Sequence, residues 1–383
     1  MRVLYCAIDQ AVPGSHGGSV HVQAVAEGLA RLGHEVHVAT RMNGPAPAGP
    51  VWHSLGAPLS MAHLRLLRAR TVTRLAQAVR PDIIMERYHN FGGEGVLAAR
   101  RLGLPLVLEV NAPVVDYAGS AKHWLDRALL LQPLRRWREW QCRRADLLVT
   151  PLARILPADT PANRILEVEW GADTETFRPD AAGPTPFTRT PGQVVVVFAG
   201  AFRPWHGAVH VVRAMRQLGE RGRTNVRAVM IGAGPELDRV RAEAAGLESV
   251  VFTGAVAHDR MPACLAAADI GVAPFDVTAH KPLQIGFYWS PLKVFEYMAA
   301  GLPVVIPDID RLRHIVRQDR EGVTYDPSTA DGLANAIETL LDSERRTALG
   351  RAARERVETE FSWAAHCRKL DHAMRQTVQG RHA

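Results

Sequence analysis

Apolar residues in this chain gather into short unbroken runs, separated by stretches in which they recur at helical spacing. In the first half the runs cover residues 3–8, 36–39, 83–85, 106–110 and 147–150, with 165–168 as a further member. In the second half they cover 194–199, 226–231, 250–252, 270–273, 304–306 and 323–325. Continuous Val, Ile and Leu, without polar alternation, predict parallel strands buried on both faces. Strand–helix alternation then predicts right-handed βαβ crossovers and an open α/β sheet in each half. The expected fold is two Rossmann-like, doubly wound parallel-sheet domains facing a cleft at the carboxyl ends of their strands. The Pro-, Thr-, Ala- and Gly-rich stretch 177–192 reads as the linker. It separates a domain over 1–180 from one over 193–360, and the tail 361–383 is helical in pattern.

Composition agrees with two cores. A chain of 383 residues, 47% of them apolar, is too long for one ordinary core. The net charge of +7 rests almost wholly on arginine, since only Lys122, Lys281, Lys293 and Lys369 are lysine. No nucleic-acid-reading motif accompanies that charge, so no nucleic-acid partner is expected; a basic surface also suits anionic substrates or an anionic membrane face. Cys6, Cys142, Cys264 and Cys367 are scattered without a C-x-x-C, as in a cytoplasmic protein with reduced thiols. The chain opens on a strand pattern, so no signal peptide is expected. No apolar run reaches the ~18 residues needed to span a bilayer.

The most informative segment is Ser290-Pro-Leu-Lys-Val-Phe-Glu-Tyr-Met-Ala-Ala-Gly-Leu-Pro-Val-Val305. Ser290 is an expected N-cap and Pro291 fits the first helical position. Leu292, Phe295 and Ala299 form an apolar stripe, and Gly301 with Pro303 ends the helix. Lys293 and Glu296 then share one face near the positive end of the helix dipole. Free amides, a cation and a carboxylate there suit a nucleotide, with phosphates on Lys293 and ribose hydroxyls on Glu296. A surface helix carrying an ion pair of little weight is the other reading.

This segment resembles the donor-binding motif of glycosyltransferase family GT4, retaining enzymes of GT-B fold. The resemblance implies transfer of a sugar from a nucleotide diphosphate donor, without a cofactor or metal. It departs at Tyr288, where many members carry a carboxylate that holds the donor sugar. Upstream, Gly17-Gly18 before a helix lets backbone amides approach a phosphate or sugar, or is a plain turn. The resemblance places this loop at the diphosphate, with His21 following. The second half opens with Gly200-Ala-Phe-Arg-Pro-Trp-His-Gly207. Here Ala201 stands at the family's diphosphate arginine and His206 at its lysine. Arg203 is then expected to supply the missing cation, so that Arg203, His206 and Lys293 bear the leaving-group charge. The turn at Gly234 and the position Val256, after the strand at 250–252, resemble other donor-side segments, with the base pocket following Val256. A terminal helix crossing back to the first domain is also implied.

The acceptor side is less defined. Glu109 and Asn111 end a strand and are candidates for acceptor or sugar contact, or for an ordinary turn. The stretch 122–144 combines Trp124, Trp137 and Trp140 with several arginines. It fits either a peripheral membrane contact or a solvated helix packing its apolar residues on the sheet. Asp308-Ile-Asp310 reads as a loop, not a metal site. The leading function is a retaining glycosyltransferase with a hydroxyl acceptor, whether a glycan, a lipid-linked chain or a small natural product. A nucleotide-sugar epimerase of the same fold and a binding protein with a vestigial donor site are the alternatives. Donor base, sugar, acceptor and oligomeric state are not specified by the sequence.

Overall fold

The computed structural model describes residues 1–14, 16–57, 59, 61–117 and 119–382. The chain forms two compact units: Met1–Trp170 with Tyr288–Ser290 and Trp363–Ala383, and Gly171–Phe287 with Pro291–Ser362. The first contains β1 (Arg2–Val12), α1 (Gly17–Arg31), β2 (Glu35–Met42), β3 (Val51–Ser54), α2 (Ala69–Val79), β4 (Ile83–Arg87) and α3 (Glu94–Leu102). It continues with β5 (Leu106–Glu109), α4 (Ala121–Ala128), α5 (Pro133–Arg144), β6 (Leu147–Thr150) and β7 (Ile165–Glu167). The second contains β8 (Val194–Ala199), α6 (Ala208–Glu220), β9 (Val226–Ile231), α7 (Leu237–Glu243), β10 (Val250–Gly254), α8 (Met261–Ala266) and β11 (Ile270–Val272). After these come α9 (Leu292–Ala299), β12 (Val304–Pro307), α10 (Leu312–Ile315), β13 (Gly322–Tyr325), α11 (Gly332–Thr339) and α12 (Ser343–Glu360). The last helix, α13 (Trp363–His382), belongs to the first unit.

Both sheets are wholly parallel. Their orders are β3-β2-β1-β4-β5-β6-β7 and β10-β9-β8-β11-β12-β13. Each chain of strands winds outward from its first member and then reverses, at β1/β4 in one unit and β8/β11 in the other. Such reversals leave a crevice at the carboxyl ends of the strands. Every strand expected from an apolar run is present. The additional β3 is a short edge strand, Val51-Trp-His-Ser54, paired only to β2. Only four residues long, half polar and nowhere fully buried, it has no apolar run to betray it.

Local signals explain the boundaries. Gly33 adopts φ +84° and closes α1, with His34 N–H donating back to Leu29 O. Val22, Val25, Ala26 and Leu29 of α1 are fully buried, whereas Leu32 is exposed. Helix α13 crosses α1 so closely that a Cβ on Gly28 would meet Cys367 Sγ at 2.4 Å. His34 Nε2 to Asp371 Oδ1 (2.7 Å) and Arg381 to Asp146 hold it on the first unit. The stretch 177–192 belongs to the second unit, where Phe177 is buried and its carbonyl accepts from Arg354. All four cysteines are free and buried.

Candidate functional site

In the second unit the residues expected for the donor converge at the β8/β11 reversal. Strand β8 delivers Phe198 and Ala199 to a loop over 200–207, and α9 packs beneath it. The Ala199 N–H donates to the Tyr297 hydroxyl at 2.7 Å, which ties α9 to the end of β8. Gly271 makes room for that ring: a Cβ there would lie 2.6 Å from it. Helix α9 is buried on more of its circumference than the expected stripe, through Val294, Phe295, Tyr297, Met298 and Ala299, while Leu292 is half-exposed. Gly301 (φ +74°) ends the helix, with Leu302 N–H reaching Tyr297 O.

The expected cap is corrected. Pro291 occupies the N-cap position of α9 and no side chain caps it. Ser290 belongs to the first unit, where its hydroxyl donates to Glu169 Oε2 (2.8 Å) and accepts from Trp170 N–H (3.1 Å). A carboxylate and an amide both compete for the serine, so it is drawn away from the helix.

Lys293 is the most telling side chain. Part of its stem is accessible, yet its Nζ is buried without a hydrogen-bond partner. The ammonium lies over the Phe198 ring at 4.4 Å and near that of Phe275 at 5.4 Å. Burial pulls its pKa down to about 7, with Glu296 opposing the shift. Cation–π contact compensates only partly for lost hydration. Gly200 (φ +139°) keeps the adjoining space clear, since a Cβ there would sit 2.9 Å from Nζ. A buried, unpaired cation beside open backbone is poised for an anion.

His206 lies beside this point. Its Nδ1 faces Ala201 O, and burial, with Lys293 next, holds its pKa down to about 3. It is therefore a neutral ring at physiological pH, not the cation expected at that position. Arg203 is exposed and stacks over Trp205 at 5.7 Å. Glu296 is 18% exposed and stands 3.7 Å from His258 Nε2, a partner that sequence reasoning missed. The carboxylate raises the His258 pKa against the effect of burial. Only proximity in space links them, because His258 follows β10. Val256 is half-buried in the same connection. Gly234 is exposed, and the turn at 232–234 rests on the 200–202 loop: Phe202 N–H donates to Ala233 O at 3.0 Å. Asp308 pairs with Arg313, and Asp310 accepts from Phe287 N–H, so both carboxylates are engaged in the loop after β12.

In the first unit His21, Glu109 and Asn111 come together at the ends of α1 and β5. Glu109 is buried and accepts from Tyr5 O–H (2.5 Å) and Asn111 Nδ2 (2.5 Å), with Arg87 at 3.5 Å and His21 Nε2 in contact. Burial alone would raise its pKa, but His21, Arg87 and Tyr5 together hold it well below the usual carboxylate range. Burial keeps His21 below its ordinary value, against the pull of Glu109, and its ring is stacked on Trp170 at 4.3 Å and edged by Trp363 and His366. Asn111, whose Oδ1 accepts from Trp170 Nε1, is the member of the three with accessible surface. Gly17 and Gly18 begin α1, and a Cβ on Gly18 would strike Gln10 Oε1 at 2.3 Å. Tyr288 is buried, which pushes its hydroxyl up to about 12. Sequence reasoning also missed a buried ionic net in this unit. Arg65 binds Glu94 and Asp9, with Glu86 3.6 Å away. Burial, with Glu94 next, pushes the Glu86 carboxyl up to about 8.

Two family models match the chain: Glycosyl transferases group 1 over residues 193–343, and Glycosyltransferase Family 4 over residues 15–155. The sulfoquinovosyl transferase SQD2 of Arabidopsis thaliana is 28% identical over 82% of this chain, which spans 59% of that relative's length. A GDP-mannose-dependent alpha-mannosyltransferase of Mycolicibacterium smegmatis is 29% identical over 97% of this chain and 96% of its own. Among solved structures, Anabaena HepE in complex with UDP-glucose superposes with a TM-score of 0.69 at 17% identity, covering 98% of this chain and 100% of that one. The fold is thus GT-B.

Proposed function

We infer that this chain, which belongs to the group 1 glycosyltransferases of family 4, moves a sugar from a nucleoside diphosphate sugar to a hydroxyl acceptor with retention of configuration. The observation that carries the reading is Lys293: a buried amine with no hydrogen-bond partner, packed against Gly200 at the carboxyl end of β8. A diphosphate supplies the charge that this lysine lacks. Exposed Arg203, on the loop that also carries His206, is assigned to the same group, while His206, whose one ring N–H is engaged by Ala201 O, shapes the loop without donating to the phosphate. Glu296, held beside His258, is suited to two ribose hydroxyls. Relatives named for GDP-mannose and solved with UDP-glucose support the donor class and leave the base open.

The state of Glu109, the buried carboxylate at the end of β5, supports the proposal of retention. Glu109 is committed to four neighbours and held ionised by them, so it is a poor proton acceptor for an incoming hydroxyl. In the proposed reaction the leaving diphosphate oxygen takes the acceptor proton while the new bond forms on the same face. Lys293 and Arg203 stabilise the charge that develops there. Asn111 is assigned to the acceptor or sugar, its amide fixed by Glu109 and Trp170.

The test is calorimetry with UDP and GDP, followed by incubation with the matching nucleotide sugars with and without acceptor. Binding of one nucleoside diphosphate and sugar transfer that requires acceptor are expected. A changed sugar configuration without acceptor would indicate an epimerase. Binding without turnover of any donor would leave a binding protein.

A further inference from the structure

Exposed large apolar side chains are not evenly spread over this molecule. Among the described residues eleven large apolar side chains are exposed, and five of them, Trp124 (64% exposed), Leu125 (54%), Leu129 (52%), Leu130 (86%) and Leu131 (68%), fall within eight positions of α4 and the turn that follows it. Scattered exposed leucines need no explanation, but a contiguous cluster of this kind does. Trp137 and Trp140 of α5 behave differently: they stack on each other at 4.8 Å, and Trp137 Nε1 donates to Gly92 O. The two readings of stretch 122–144 therefore separate by element. Helix α5 packs inward, whereas α4 and its turn project their apolar residues outward.

The projection is built, not frayed. Asp126, 3% exposed, accepts from the N–H groups of Leu134 and Arg135 and so anchors the start of α5. Buried Arg138 reaches Val114 O (2.6 Å), Asp116 (2.9 Å) and Asp126 (3.5 Å). Leu130 and Gln132 sit at φ +54° and +48°, left-handed conformations that non-glycine residues seldom adopt. The surrounding charge has one sign. Lys122, Arg127, Arg135, Arg136, Arg138, Arg143 and Arg144 face only Asp126 and Glu139 within the segment. Both acids are taken: Asp126 inside the hairpin, Glu139 by Arg135 and Arg143.

We propose that the α4–α5 hairpin docks on an anionic lipid bilayer, with Trp124 and Leu129–Leu131 entering the interface and the flanking arginines resting among the headgroups. An apolar tip flanked by exposed Arg127 and Arg136, with further arginines on α5, is the pattern of interfacial binding. A second copy of this chain would bring the same positive charge against itself, which disfavours self-association through this face. Among the described residues no helix is long and apolar enough to cross a membrane, so the contact is peripheral.

Vesicle co-sedimentation of the full chain tests this independently of any donor or acceptor. Phosphatidylcholine vesicles containing phosphatidylglycerol should sediment the protein, pure phosphatidylcholine much less, and added salt should weaken binding. The double variant Leu130→Glu/Leu131→Glu should lower the partition at least about tenfold with an unchanged thermal melt, because both side chains are already exposed. Arg127→Glu/Arg136→Glu should abolish the preference for anionic lipid. Failure of the natural protein to sediment with anionic vesicles would overturn the proposal. So would equal binding by the leucine variant. A concentration-dependent dimer that the leucine variant dissolves, seen by light scattering, would assign the face to a second copy instead.

Discussion

A lysine whose amine is buried without a hydrogen-bond partner is costly to keep charged, and that cost can be read in solution. With its pKa lowered from 10.5 to about 7, Lys293 carries less proton in the folded chain than in the unfolded one between those values. Stability therefore rises with pH across that window on account of this residue, and the slope should disappear in Lys293→Met. The same variant should be more stable by about 1–4 kcal/mol at pH 7 and melt at a higher temperature, since an apolar chain replaces a buried charge. It should also lose diphosphate affinity and turnover; higher stability with intact affinity would remove Lys293 from the site. A bound diphosphate restores the ordinary pKa, so nucleoside diphosphate binding at pH 8 should take up about one proton. Calorimetry in buffers of different ionisation enthalpy measures that uptake, and Lys293→Met should abolish it. Glu296 acts on the other end of the nucleotide. Removing its charged hydrogen bonds in Glu296→Ala should weaken nucleotide binding by about 1.5–3 kcal/mol, roughly ten- to a hundredfold. Affinity for the 2′,3′-dideoxy analogue should then be nearly equal in variant and natural protein; equal losses for both nucleotides would place Glu296 away from the ribose.

Elements explain why this site was partly legible beforehand. Lys293 and Glu296 lie on one short helix, so their shared face followed from spacing alone. Gly301 ended that helix as expected because only a residue tolerant of φ +74° closes it there. Ser290 was misassigned as a cap because its competing partners, Glu169 and Trp170, are 121 and 120 residues distant in sequence. His258 was overlooked for the same reason: nothing in its own segment marks it as a neighbour of Glu296. The charge of His206 was misjudged because composition shows a basic residue but not its burial. The loops around Lys293 depend on glycine at contacts that sequence alone does not display. Gly207 sits at φ +67°, and a Cβ there would lie 1.8 Å from Pro274 O. Gly207→Ala should destabilise the second unit by on the order of 1–3 kcal/mol and displace β11's exit from the loop over 200–207. Thermal melting checks the cost, and a parallel loss of diphosphate affinity checks the displacement. An unchanged melt would mean that the loop relaxes without strain.

For the whole molecule, the fold was the easiest level to read, because parallel strands buried on both faces cannot avoid continuous apolar runs. Edge strand β3 escaped for the converse reason. The reaction's stereochemistry stands furthest from the sequence, and each unit taken by itself offers one observation that bears on the proposal of retention. In the first, the carboxylate nearest the expected sugar side, Glu109, is buried, ionised and held by Tyr5, Asn111, Arg87 and His21. In the second, Lys293 and Arg203 are the cations proposed to meet the charge of a leaving diphosphate. An inverting transfer requires a base that accepts the hydroxyl proton as the acceptor attacks from the opposite face. A retaining one lets the departing phosphate accept it. With the Glu109 carboxyl pulled well below the usual range, its proton affinity is wrong for the first mechanism. The product formed from an α-linked nucleotide sugar should therefore be α-linked, and the anomeric coupling constant in the proton NMR spectrum of the purified product reads this directly. Glu109→Gln should leave that configuration unchanged while lowering turnover, because it disturbs the hold on Asn111 without removing a base. A β-linked product, lost altogether in Glu109→Gln, would make Glu109 the base and reverse the mechanism.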